Sequence, residues 1–144
     1  MRFGLVHRIM TDALAVLGLL ALVTSGELHR GITIAIVLGL GLALATPERS
    51  QDHRFMRRVG VLAPLGLLAM QVGRLGVGAA VLPLAVEFAA GLQVVRLATR
   101  RGAAHDQQVV VLALLHLIAG TVLGGGITYG LCFIGFLIVA PGAL

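Results

Sequence analysis

The chain has 144 residues, of which 58% are hydrophobic and only 12% charged, and its mean hydropathy is +1.03. A soluble domain carries about 25% charged and about 45–50% apolar residues, so this is a membrane protein; a soluble bundle would need polar outer faces, which the apolar runs lack. The formal net charge of +5 comes from arginines, with no lysine, and they cluster between apolar runs, which is a topology pattern and not the basic patch of a nucleic-acid binder.

The first apolar run follows MRFGLVHR and extends from Ile9 to about Gly26, interrupted early by Thr11 and Asp12. Basic residues, an apolar stretch and VTSG also fit a cleavable secretory signal. The early Asp12 and the second apolar run that follows favour a retained helix with its N-terminus in the cytoplasm. Asp12 lies four residues after Arg8, a spacing that pairs charges on a helix. Glu27, His29 and Arg30 then make a short polar turn with too few ligands for a metal site.

The second run, residues 30–46, is stopped by Pro47. Its unbroken core from Ile32 to Thr46 would be about 22 Å long as a helix, short of the ~30 Å of a bilayer core. A loop over residues 47–58 carries Arg49, Arg54, Arg57 and Arg58. The third run, residues 59–73, contains Pro64, which a helix in lipid tolerates when neighbours satisfy the freed carbonyl. Arg74 marks a turn, and the fourth run covers residues 75–95. A second basic loop, residues 96–105, holds Arg96, Arg100 and Arg101.

From Val109 to Val139 there are 31 residues without Asp, Glu, Lys or Arg. A single helix of that length would measure about 46 Å, too long for an ordinary span. Gly124, Gly125 and Gly126 favour a break, so the reading is two helices, 106–123 and 127–140, with Asp106 as N-cap of the first and Pro141 closing the second. One long tilted helix with a glycine kink is the alternative, which makes five helices in place of six.

The expected fold is therefore all-α: a single polytopic membrane domain of about six transmembrane helices arranged as three hairpins. With the N-terminus inside, Arg2, Arg8, Arg49, Arg54, Arg57, Arg58, Arg96, Arg100 and Arg101 fall on the cytoplasmic side, against Arg30 and Arg74 outside. That asymmetry satisfies the positive-inside rule.

Few residues offer chemistry. Glu87 falls within the fourth apolar run, where an ionised carboxylate costs about 2.5–3.5 kcal/mol on insertion scales. It must be protonated, paired or facing water, and His116 in the fifth helix is a candidate partner for an intramembrane polar pair. The bland reading of Glu87 is a structural hydrogen bond between helices; the sharper one is a proton or ion relay. Cys132 is the only cysteine and sits in an apolar run, a poor setting for a nucleophile; His105 and Asp106 lie at the wrong depth to form a triad with it. No phosphate loop, serine elbow or zinc spacing is present, so no cofactor is expected. Gly120 with Gly124, and Gly126 with Gly130, have the spacing that lets helices approach closely.

The text from Arg54 to Leu144, RFMRRVGVLAPLGLLAMQVGRLGVGAAVLPLAVEFAAGLQVVRLATRRGAAHDQQVVVLALLHLIAGTVLGGGITYGLCFIGFLIVAPGAL, resembles the N-terminal membrane domain of bacterial transglutaminase-like proteins of the TgpA type. In that family a fourth helix runs into a basic motif ending in arginines and an aspartate, and two more helices follow. Thr99, Arg100, Arg101 and Asp106 look like that motif, although this chain lacks the Lys and Glu often found ahead of the arginines and inserts Gly102 to His105 before the aspartate. The resemblance implies residence in the bacterial inner membrane. It also implies a downstream extracytoplasmic domain with a Cys-His-Asp triad, to which this chain would be the non-catalytic membrane anchor. A small transporter or channel subunit using Glu87 and His116 is the alternative, and an assembly scaffold fits equally. The expected partners are the lipid bilayer and that downstream domain, with no nucleic acid.

Overall fold

The structure, a computed structural model, describes residues 2–26, 28–45, 54–99, 103–124 and 126–143. Among them are six helices and no strand: α1 (Arg2–Thr24), α2 (Arg30–Ala45), α3 (Arg54–Gly76), α4 (Val81–Ala98), α5 (Ala103–Gly124) and α6 (Ile127–Ala143). The stretch around the three glycines is broken into α5 and α6, as the length of the run requires. Four helical segments are long and apolar enough to cross a membrane: Val6–Thr24, Arg57–Gly76, Val81–Ala98 and Asp106–Leu123. The apolar helices Arg30–Ala45 and Ile127–Pro141 are shorter.

Several boundaries differ from the sequence expectation. α3 does not stop at Gly73 but continues through Arg74 to Gly76, and α4 begins at Val81 in place of Leu75. The cause is a C-terminal cap. Gly78 adopts φ 89°, Gly78 N–H donates to the Leu75 carbonyl at 3.0 Å, and Ala79 N–H donates to the Arg74 carbonyl at 3.1 Å. This is the paired bonding of a Schellman motif, which needs a residue without a Cβ at the left-handed position. Arg74 therefore stands in the last turn of a helix, where a cation is favoured by the macrodipole. Pro83 falls in the first turn of α4, where its missing N–H costs nothing.

Other ends are shifted too. α5 starts at Ala103, so Asp106 lies in its first turn and not at the N-cap. α6 runs past Pro141 to Ala143. α1 starts at Arg2 and ends with Gly26 in the left-handed region at φ 76°. α2 is opened by His29, whose Nδ1 accepts from the Gly31 N–H at 3.3 Å, a side-chain cap on an orphan backbone donor.

The chain falls into two compact units: residues Met1–Leu28 with Gly102–Leu144, and residues His29–Arg101. The expected hairpin of the first two helices is thus divided between units. In the first unit α1 packs against α5 and α6. Its buried positions Thr11, Leu14, Ala15, Gly18, Leu19, Ala21 and Leu22 repeat at the three-to-four residue spacing of one helix face. Thr11, which interrupts the apolar run, is satisfied locally by donating its hydroxyl to the His7 carbonyl at 2.9 Å. At Gly18 a Cβ would lie 2.8 Å from the Ala113 carbonyl oxygen, so the backbones of α1 and α5 meet there. Gly120 of the first GxxxG spacing lies against the Tyr129 ring, whereas Gly130 of the second has nothing near it.

In the second unit α4 is the central helix and packs against α2 and α3. Small residues again set the approach: a Cβ on Gly91 would meet the Leu67 side chain, and one on Gly39 the Val94 side chain, both at 2.8 Å. The outward faces of α2 and α3 expose Leu38, Leu42, Val61, Leu62 and Leu65. Such faces are unfavourable in water and cost nothing in lipid.

Candidate functional site

The second unit places a polar cluster between α3 and α4. Glu87 stands six residues into α4, about 9 Å from its first residue, and its side chain is only 3% exposed. The later start of α4 places it six residues from the first residue of its helix, in place of twelve from the start of the expected run. Its carboxylate Oε2 accepts from Arg74 Nη1 in an ion pair and from Gln71 Nε2 at 3.5 Å. Arg74 Nη1 also donates to Gln71 Oε1 at 3.4 Å. Gln71 is buried, and Arg74 is 36% exposed. The three side chains form a closed ring in which each member bonds the other two.

This arrangement answers the cost of burying a charge: the carboxylate is paired and hydrogen-bonded. Among the described residues Arg74 donates only through Nη1, so Nε and Nη2 remain for another acceptor. Glu87 also lines a groove of about 540 Å³ bounded by α2, α3 and α4. Its walls are otherwise aliphatic or glycine, including Ile36, Ala63, Gly66, Met70 and Val94.

The remaining sequence candidates are dispersed. His116 belongs to the first unit, where it is 1% exposed on the inner face of α5, and Glu87 belongs to the second. Arg96 is half-buried in the last turn of α4. Arg100 and Arg101, like Glu27 and Arg49, lie outside the described residues. Asp106 approaches His7 within the first unit, with Oδ2 and Nε2 4.0 Å apart. Thr99 closes α4: its N–H and its hydroxyl both donate to the Val95 carbonyl, at 3.0 and 2.7 Å. Cys132 is buried in an apolar cluster with Leu14, Ala113, Leu117 and Phe136. No group of three or more His, Cys, Asp or Glu side chains suited to a metal occurs among the described residues.

Sequence reasoning missed Arg74 and Gln71 as partners of Glu87. The signal was present: an acid inside an apolar run, an arginine thirteen positions earlier, and glycines between them that permit a tight reversal. Comparison with protein-family models, curated proteins and solved structures gave no match.

Proposed function

We propose that this chain is the non-catalytic membrane domain of a bacterial transglutaminase-like protein of the TgpA type, with all six helices spanning the inner membrane and the N-terminus in the cytoplasm. The observation that carries the reading is the order of elements around residues 99–106. α4 is capped by Thr99, the arginine-bearing segment follows, α5 opens with Asp106 in its first turn, and α6 comes next. That is the order the family resemblance implies. The burial of Cys132 in an apolar cluster fits a packing role. The clustering of arginines at alternate helix ends supports the orientation. On this reading the domain anchors an extracytoplasmic acyltransferase and contributes no residue to acyl transfer.

The test is the coding sequence beyond Leu144 together with topology reporters. A following extracytoplasmic domain bearing Cys, His and Asp in that order is expected, as is an alkaline phosphatase fusion active after Gly78 and silent after Arg101. A stop codon directly after Leu144 in intact genomes refutes the assignment.

A second reading, a small transporter or channel subunit, is favoured by one observation: Glu87 borders a groove. It requires proton-coupled flux in vesicles that Glu87→Gln abolishes. Flux unchanged by that substitution ends it.

A further inference from the structure

We propose that the groove in the second unit binds one acyl chain of a membrane phospholipid, with the lipid phosphate held by Arg74. The inference rests on the membrane-spanning reading above, since only a bilayer presents such a ligand at this surface. It does not depend on the transglutaminase-like assignment.

The shape comes first. At about 540 Å³ the groove lies within the ~300–1,000 Å³ range of small-molecule sites. Along α4 it extends from Glu87 to Val94 and Val95, about 10–12 Å of helix. Glu87 is the one polar residue in its wall. An aliphatic trough polar at one end suits a hydrocarbon chain that carries its polar group at one end.

One stretch of the wall, at the exposed Gly66, is open by sequence. A Cβ on Gly66 would meet nothing within 4 Å, so the glycine keeps empty a space that any other residue would fill. Glycine in a helix interior costs about 1 kcal/mol relative to alanine, and nothing packed against Gly66 requires its presence.

The positive charge lies beside the groove: Arg74 is not in its wall but is paired with Glu87, which is. Arg74 lies four residues after Met70, a wall residue, and so shares its helix face. Glu87 and Gln71 engage Nη1 alone among the described residues. This fixes the guanidinium plane and leaves Nε and Nη2, an adjacent pair of donors whose spacing matches two oxygens of a phosphate. Arg74 is also two residues from the end of α3, within reach of the headgroup level.

The experiment uses the full chain in phosphatidylcholine vesicles carrying a trace of phosphatidylglycerol with a diazirine in its acyl chain. After illumination, labelled peptides are mapped by mass spectrometry. Met70 and Val94, which line the groove, should be labelled well above Val61 and Leu62, which like Met70 are exposed but lie outside it. Gly66→Phe, whose side chain enters open space, should lower labelling at Met70 and Val94 by about tenfold and leave Val61 and Leu62 unchanged. Equal labelling at all four positions in the native chain, or labelling of Met70 and Val94 that survives Gly66→Phe, overturns the proposal.

The phosphate contact has its own arm. The native chain should prefer the phospholipid probe over a diacylglycerol carrying the same diazirine, and the double variant Arg74→Met, Glu87→Leu should lose that preference. No preference in the native chain refutes the role of Arg74. Excess inorganic phosphate should leave labelling intact; displacement by it would mark a soluble-anion site and overturn the lipid assignment. Alkaline carbonate extraction separates the two levels of inference. A chain that leaves the membrane refutes both the spanning reading and this one, whereas a retained chain with an unlabelled groove refutes this one alone.

Discussion

Replacing Arg74 with Met should destabilise the fold far more than replacing both Arg74 and Glu87 with apolar residues. The single change leaves the Glu87 carboxylate, 3% exposed, with one long hydrogen bond from Gln71 at 3.5 Å. Removing one partner of a buried ion pair costs about 3–5 kcal/mol. Because Arg74 is 36% exposed, the interaction is partly screened, and the lower end of that range, about 3 kcal/mol, is expected. Glu87→Leu should cost about 1 kcal/mol, since Arg74 keeps access to solvent or headgroups and to Gln71. The double variant Arg74→Met, Glu87→Leu removes both charges and should lie within about 1 kcal/mol of the native chain. The cycle then gives a coupling of about 3–5 kcal/mol, well beyond the ~0.5 kcal/mol scatter of independent sites. The assay is denaturant unfolding in mixed micelles followed by helical circular dichroism. Additive single variants would show that the ion pair contributes nothing to stability.

Three further outcomes follow from burial and close approach. Gly18→Val should destabilise the first unit by about 1–3 kcal/mol through overpacking, because a Cβ there meets the Ala113 backbone at 2.8 Å, whereas Gly41→Ala, with open space around it, should be neutral or stabilising; thermal unfolding of both variants decides. Gln93 is 0% exposed and neither end of its amide has a partner among the described residues, so Gln93→Leu should stabilise by about 1–2 kcal/mol, and a loss of stability would reveal a partner for the amide. Cys132, 7% exposed, should resist maleimide in mild detergent and react fully in denaturing detergent, and rapid labelling of the folded chain would contradict its place in the first unit.

Much of the helical content was legible because it rests on run length and on breakers. The split at Gly124–Gly126 follows from a run too long to be one span, and the end of α1 from Gly26. What escaped the sequence depended on tertiary partners. Arg74 reads as a turn residue because a lone arginine in an apolar run is costly; Glu87 across the turn answers its charge, and the helix runs on to the Gly78 cap. The pairing of α1 with α5 and α6 was equally hidden. Apolar helices carry little code for partner choice, and chain adjacency is then the default guess. The close approach at Gly18 depends on Ala113, a position 95 residues away in a chain with 20 glycines, and no local pattern marks it. The division into two units follows from these partner choices and was hidden with them.

The seam between α3 and α4 explains why the arginine stands at 74. α3 contributes Gly60, Leu67 and Arg74, each seven residues from the next and hence on one face. They meet Thr99, the C-cap of the antiparallel α4, and Gly91 and Glu87 within it. At the first two levels the contact is steric: a Cβ on Gly60 would lie 3.3 Å from the Thr99 hydroxyl, and one on Gly91 would lie 2.8 Å from Leu67. The spacing then falls out of step. From Leu67 to Arg74 α3 rises about 10 Å, whereas from Gly91 to Glu87 α4 covers only about 6 Å, so the backbones of the last pair are not level. Side chains on a helix lean toward its N-terminus. In antiparallel helices the Glu87 side chain therefore leans toward the turn, and that of Arg74 leans away from it. The two converge across the mismatch, which a short side chain at either position would leave unbridged. The polar pair is thus the third level of a packing seam, and its chemistry is first that of holding α3, which buries little else, in register on α4.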